Sequence, residues 1–266
     1  MIAYVALLGA SIGSLSSIRK EYFQISALAH ASVLGAALAC FLGFNLFLGA
    51  LLTIPLRAIV IYRLDSLESS TAIFGFAMGL SAYFLAISGS TAVARTILFG
   101  SLFVHDPLAI FFLKVFAIIS VGFLFEYFDD VIYEAFDPET AYVYNPRLKY
   151  IVFTYYFLLS LGTVVLLRFL GAFLTIVVLS SGRIIFKGLS PRVIPIAYFA
   201  LLYTILEISK YTPSPTGFAT FVLAILAGLR SIKTSRDDFS RGIHERRIDN
   251  RGKPLDHYLT DNQLND

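Results

Sequence analysis

One histidine stands where the chain is otherwise apolar. His30 lies in Ile25-Ser26-Ala27-Leu28-Ala29-His30-Ala31, with Ser26 four residues before it. On a helix that spacing puts hydroxyl and imidazole on one face. Ionisable groups within long apolar runs face a bundle interior or a water path. Neutral imidazole is also the commonest side-chain ligand of transition metals. His30, helped by Ser26, is therefore the candidate metal contact. The alternative is a histidine bonded to a neighbouring helix's backbone, which fixes packing.

A second segment has a pattern of its own. Phe136-Asp137-Pro138-Glu139-Thr140-Ala141 reads as a helix start. Asp137 can cap, Pro138 suits the first helical position, and Glu139 favours the positive end of the dipole. Asn145-Pro146 then stops the helix after about two turns. Such an element is either an ordinary capped loop or a knob for a cytoplasmic partner. His105, Asp106 and Glu207 are further candidates near the ends of apolar runs. Glu207 and Lys210 are also spaced for a simple ion pair. His244 and His257 stand in polar surroundings and read as solvated. The sequence holds no His-Glu-x-x-His, no Gly-x-Ser-x-Gly and no phosphate-cradling glycine loop ending in Lys-Ser/Thr. No enzyme activity is therefore expected of it, and any ATP would be hydrolysed elsewhere.

The elements that must position these residues are apolar throughout. The chain is 57% hydrophobic and 15% charged, with a mean hydropathy of +0.76. A soluble domain carries about 25% charged residues. Nine apolar stretches fall within residues 1–232, each roughly 16–22 residues and so long enough to cross a bilayer. They cover about 2–18, 24–42, 46–62, 70–88 and 107–128, two sharing 150–186, then 193–209 and 216–232. Unpaired backbone amides are too costly in hydrocarbon, so the spans must be helical. The run 94–103 is too short to span and reads as re-entrant or interfacial. Residues 129–149 read as a polar stretch holding the short capped helix. The break in 150–186 falls near Arg168 and Gly171.

Charge placement orients the bundle. With the N-terminus outside and nine crossings, the inner loops carry Arg19, Lys20, Arg63, Arg147, Lys149, Lys187 and Arg192. The outer loops carry Arg95, Arg168 and Lys210. That bias agrees with the positive-inside rule. The polar tail, 233–266, holds seven basic and seven acidic residues. It is expected on the cytoplasmic side, disordered or loosely attached. The first apolar run lacks a basic leader and a cleavage site, so it reads as a retained helix. The single Cys40 lies in an apolar run and excludes a disulfide framework within the chain. No basic stripe points to nucleic acid.

In order, these features resemble the integral-membrane permease of metal-ion ABC importers of the zinc/manganese/iron type. The resemblance covers about 1–232. Ser26 to Ala31 with Gly35 is similar to that family's Ser-Asp-Ala-Leu-Ser-His-Ala followed by Gly. Ser70-Thr71-Ala72-Ile73 with Gly75 resembles its Asp-Thr-Ala-Ile-Gly. Leu98-Phe99-Gly100-Ser101-Leu102 resembles Leu-Phe-Gly-Asn/Ser-Leu, and Arg168 to Gly171 resembles Arg-Val-Val-Gly. Pro215-Thr216-Gly217 with Ala219 resembles the segment entering the last helix. Phe136, Asp137, Pro138, Glu139 and Ala141 match the coupling helix, which in such permeases docks on the ATPase.

The resemblance implies an all-α polytopic bundle of about nine transmembrane helices, with a short re-entrant or interfacial helix and a cytoplasmic coupling helix. It implies import of a divalent metal such as zinc or manganese. The partners would be a second copy, cytoplasmic ABC ATPase subunits that bind ATP, an external metal-binding protein and the lipid bilayer. His30 would contact the passing ion, with Ser26 helping. Two departures stand out. Ser26 replaces the family's Asp, and Gly182 replaces a Pro. Loss of the carboxylate leaves open a different cargo, such as a metal chelate or other small solute. A non-transporting membrane scaffold is the remaining alternative.

Overall fold

The computed structural model describes residues 1–54, 67–89, 91–102 and 106–246, except the side chains of 67, 69 and 235–246. Within them the chain forms ten helices. They are α1 (Ile2–Ile18), α2 (Tyr22–Leu42), α3 (Leu46–Leu52), α4 (Leu67–Ser88) and α5 (Thr91–Phe99). Then follow α6 (Pro107–Phe136), α7 (Pro138–Tyr144), α8 (Leu148–Ile185), α9 (Ile194–Ser209) and α10 (Pro215–Arg246). The second half of the predicted third span lies outside the described residues. So do Arg57, Arg63, His105 and His257.

The helix α8 is two arms. Gly171 interrupts it with φ 73° and ψ 171°, a conformation open to glycine alone. Contacts with α1 show that the chain reverses there. Arg19 reaches the hydroxyl of Tyr156 at 3.2 Å, while Ser16 Oγ donates to the carbonyl of Leu179 at 2.8 Å. On one straight helix those two α8 positions would lie about 34 Å apart, at 1.5 Å per residue. Residues 16 and 19 are neighbours. The arms 148–170 and 172–185 therefore lie antiparallel, side by side against α1.

Small residues make these close approaches possible. Lipid gives helices no hydrophobic reason to associate, so contact depends on fit. Gly9 and Gly13 are four apart on α1, and a Cβ on Gly13 would come within 2.6 Å of the Val178 carbonyl oxygen. Gly35 of α2 and Gly49 of α3 meet in the same way, backbone against backbone. At Gly182 an added Cβ would meet Ser17 Oγ and the Tyr198 ring at 3.0 and 3.1 Å. The amide of Arg183 donates to Ser17 Oγ at 2.9 Å. The departure from proline thus coincides with a three-helix crossing.

The outer helices differ in composition of their surfaces. Exposed Phe76, Tyr83, Phe111, Ile118, Phe125 and Phe221 stud α4, α6 and α10, as lipid-facing helices require. The helix α4 runs parallel to α2, since Phe23 meets Phe74 and Phe41 meets Phe84. Among the described residues, five helical stretches are long and apolar enough to span alone: Tyr22–Leu42, Ser70–Ser88, Pro107–Phe136, Leu148–Ile185 and Pro215–Thr234. Ile2–Ile18 and Ile194–Ser209 are apolar but shorter.

Two boundaries differ from expectation. The helix α6 continues through 129–136, the first part of the polar stretch. Asp129, Asp130 and Glu134 are tolerated in a helix, and the true stop is Pro138, which disfavours helical geometry at Asp137 (φ −146°). The last helix likewise runs past 232 to Arg246, so the polar tail begins as helix rather than as disordered chain. The short piece is α5, nine residues, or about 13 Å at 1.5 Å per residue.

Candidate functional site

The helix α2 carries His30 eight residues past its start at Tyr22, about 12 Å along the axis. Its Nδ1 lies 2.9 Å from the carbonyl oxygen of Ser26. A carbonyl can only accept, so Nδ1 carries the hydrogen, and in a neutral ring that leaves the lone pair on Nε2. That is the tautomer a metal-binding imidazole needs, with the other nitrogen steadied by a backbone carbonyl. Phe74 of α4 holds the ring edge-on at 4.6 Å between centroids. The His30 ring is half-buried. Ser26 lies one turn below, and it orients His30 through its backbone rather than its hydroxyl. No group of three or more His, Cys, Asp or Glu gathers among the described residues. His30 therefore stands outside any such cluster among the described residues.

At one end of the bundle α7 protrudes as a capped helix of about two turns. Asp137 accepts from the Thr140 amide at 3.2 Å, and Pro138 takes the first turn. Pro138 and Glu139 are exposed, as are Phe136 (70%), Val143 (81%) and Tyr144 (80%). Ala141 is fully buried beneath. The helix therefore presents an apolar and acidic outer face and rests on the bundle through its inner one.

Between α7 and the bundle lies a charged cluster. Arg19, just past α1, is nearly inaccessible, its side chain 5% exposed. Its Nε donates to Glu21 Oε1 at 2.6 Å, and its Nη1 to Glu134 Oε2 at 2.8 Å and to the Val131 carbonyl at 2.7 Å. The guanidinium also lies over the rings of Tyr155 and Tyr156. Glu21 accepts hydrogen bonds from both tyrosine hydroxyls. Glu134 accepts from Tyr142 of α7 at 2.8 Å. Five elements converge here: the end of α1, the start of α2, the end of α6, α7 and the first arm of α8.

The electrostatics follow from that enclosure. Desolvation acts to lower the Arg19 pKa, but Glu21 and the two tyrosines outweigh it, so the guanidinium is held charged above its ordinary range. Burial pushes the Glu21 carboxyl up, and Arg19 and the tyrosine hydroxyls oppose it. Removing the cation would leave two enclosed carboxylates without their partner. Arg19→Met should therefore destabilise the protein by about 3–5 kcal/mol. Thermal unfolding in detergent measures this, and an unchanged midpoint would contradict it.

Other candidates resolve into structure. Asp106 caps α6 by accepting from the Leu108 amide at 3.0 Å. Glu207 and Lys210 form an i,i+3 ion pair. Sequence reasoning passed over the buried cluster. Arg19 and Glu21 looked like loop charges, Glu134 like part of a polar stretch, and Tyr155 and Tyr156 like span residues. One signal was legible: Phe128, Val131 and Glu134 recur at helical spacing, which puts a carboxylate on the inward face of α6.

The two ends of the bundle are also distinct. Ile18, Lys20, Tyr22, Phe136, Arg183, Lys187 and Ser231 line one cleft of about 420 Å³, so the ends of α1, α6, α8 and the last apolar helix share a face. Opposite it, Gly100 after α5 packs on the Gly171 turn, each within 2.4 Å of where the other would place a Cβ.

The ABC 3 transport family matches residues 1–229. The manganese transport system membrane protein MntC of Listeria monocytogenes is 25% identical over 182 residues, 66% of this chain. Its counterpart in Listeria innocua is 24% identical over the same length. The alignment spans 65% of the length of each relative. Among solved structures, PsaBC from Streptococcus pneumoniae in complex with Fab has a TM-score of 0.71 at 16% identity, covering 86% of this chain and 87% of that one. An inward-facing conformation of a metal-chelate type ABC transporter has a TM-score of 0.62 at 17% identity, covering 87% and 84%. At these identities the likeness is one of fold.

Proposed function

This multi-pass membrane chain belongs to the ABC 3 transport family, and on that premise we propose that it is the permease subunit of an ATP-driven importer of a divalent transition metal. Manganese and zinc are the leading cargoes. The observation that carries the reading is the family match along nearly all of the helical body, joined to the manganese-system relatives. His30 would line the path and bind the ion briefly through Nε2. One imidazole suits transport, which needs contact weak enough to release.

Nine crossings are part of this proposal. The five long helical stretches, the second arm of α8 and the two shorter apolar helices would account for eight of them, and the apolar sequence 46–62 would add the ninth. The face carrying Arg19, Lys20, Arg147, Lys149, Arg183 and Lys187 would be cytoplasmic by the positive-inside rule. The N-terminus would then lie outside and the tail inside. Two copies would pair, with two ABC ATPases beneath them and an external metal-binding protein above. Each ATPase would seat on α7 through Phe136, Pro138, Glu139 and the exposed Val143 and Tyr144. Asp137 would fix the helix by its cap, and Ala141 would support it from within.

The test is uptake by the complete transporter in vesicles, offered manganese, zinc and small metal chelates separately. Free-metal uptake supports the reading. Chelate uptake alone would favour the other cargo that Ser26 suggests, and absence of any co-purifying ATPase would point to a scaffold. Replacing Asp137 and Glu139 together with alanine should uncouple ATP hydrolysis from uptake. The lost cap accounts for about 1 kcal/mol of local helix stability. Unchanged transport per ATP would remove α7 from the docking role.

A further inference from the structure

We propose that the enclosed Arg19–Glu21–Glu134 cluster is the relay that carries displacement of α7 into the helix bearing His30, with Tyr142 as the positioning residue that engages it. The proposal rests on the transport reading above. The path is continuous on the page. The hydroxyl of Tyr142 donates to Glu134 on α6, Glu134 accepts from Arg19, and Arg19 donates to Glu21. Glu21 is the residue from which α2 starts, and its carbonyl accepts the Ile25 amide at 3.0 Å. His30 follows nine residues later, about 13 Å along the same rigid helix.

The chemistry of the links matters as much as their order. Apolar side chains slide past one another at little cost, and a helix resting on such a surface can shift without moving its support. Buried charged hydrogen bonds are short and directional, and parting them strands an ion in a poorly polarisable surrounding. The elements they join must then move together or rearrange as a unit. Both carboxylates are engaged through both oxygens: Glu134 by Arg19 and Tyr142, Glu21 by Arg19 and Tyr156 on one oxygen and Tyr155 on the other. A pull on Tyr142 is therefore transmitted to the first arm of α8 as well as to α2. The outer face of α7 remains exposed for a partner while this inner contact is made.

Tyr142→Phe removes the hydroxyl and keeps the ring. In vesicles holding the complete transporter, it should leave ATPase co-purification and ATP hydrolysis intact. Metal taken up per ATP hydrolysed should fall by about tenfold, the factor lost with one hydrogen bond to a charged group. Glu134→Leu, which removes the acceptor of both Tyr142 and Arg19, should lower the same ratio at least as far, and adding Tyr142→Phe to it should do no further harm, since the Tyr142 link is already gone. A purely structural cluster would lower the unfolding temperature while folded protein kept the wild-type ratio, and that result overturns the relay. So would additive losses in the double variant. If the wild-type complex itself moved no metal, the transport reading would fail and the relay with it; wild-type uptake with normal coupling in Tyr142→Phe would sink the relay alone.

Discussion

Gly171→Ala should leave little folded protein. The residue has φ 73° and ψ 171°, and its missing side chain is occupied space. A Cβ there would lie 2.4 Å from the Gly100 nitrogen, 2.4 Å from the Phe99 carbonyl carbon and 2.5 Å from the Leu98 oxygen. All three are backbone atoms, so no rotamer change relieves the clash. Gly100 (φ 66°) is bound by the same crossing. Backbone strain and overpacking together predict a loss of about 3–5 kcal/mol, against about 5–15 kcal/mol of total stability for a typical protein. The yield of monodisperse protein in detergent and its unfolding temperature measure this. Gly122→Ala is the control, because a Cβ at that position meets nothing within 4 Å and Ala favours helix. If Gly171→Ala matched Gly122→Ala, the two turns would not be in contact.

His30→Ala should abolish uptake without disturbing assembly. The imidazole has its Nδ1 steadied by a backbone carbonyl and its ring held by an edge contact with Phe74, and no neighbouring cluster among the described residues can replace it. Altering only the outer partner of a metal-bound histidine typically costs 10–100-fold, so losing the ring itself should cost about 100-fold or more. Uptake of manganese and zinc at normal ATPase co-purification checks this, and a wild-type rate would end the ligand assignment. Ser26→Asp adds a carboxylate one turn away. It should improve manganese relative to zinc, because oxygen donors suit the harder ion. An unchanged ratio would mean that position 26 does not face the ion.

The site was partly legible for a definable reason. The Asp137 cap and the Pro138 start are local, and a reader of residues 136–141 can find both. The spacing of Ser26 and His30 is local too, though the bond between them runs through a carbonyl that any residue supplies. Arg19 and Glu134 are different. They lie 115 residues apart, and each looks like a solvated loop charge until the other is placed beside it. The end of α6 is hidden in the sequence because acidic residues suggest water, whereas Glu134 points inward to a cation.

By itself the sequence determined that the chain is a helical membrane protein, and it singled out its capped knob and its histidine. Lipid forces each apolar run to satisfy its own backbone, so helix formation there is decided within about twenty residues. Tertiary structure alone decided that residues 148–185 fold back on themselves, because that reversal depends on the backbone of Gly100 fitting against Gly171. It also decided which charges are enclosed, since an ion leaves water only where distant partners meet it.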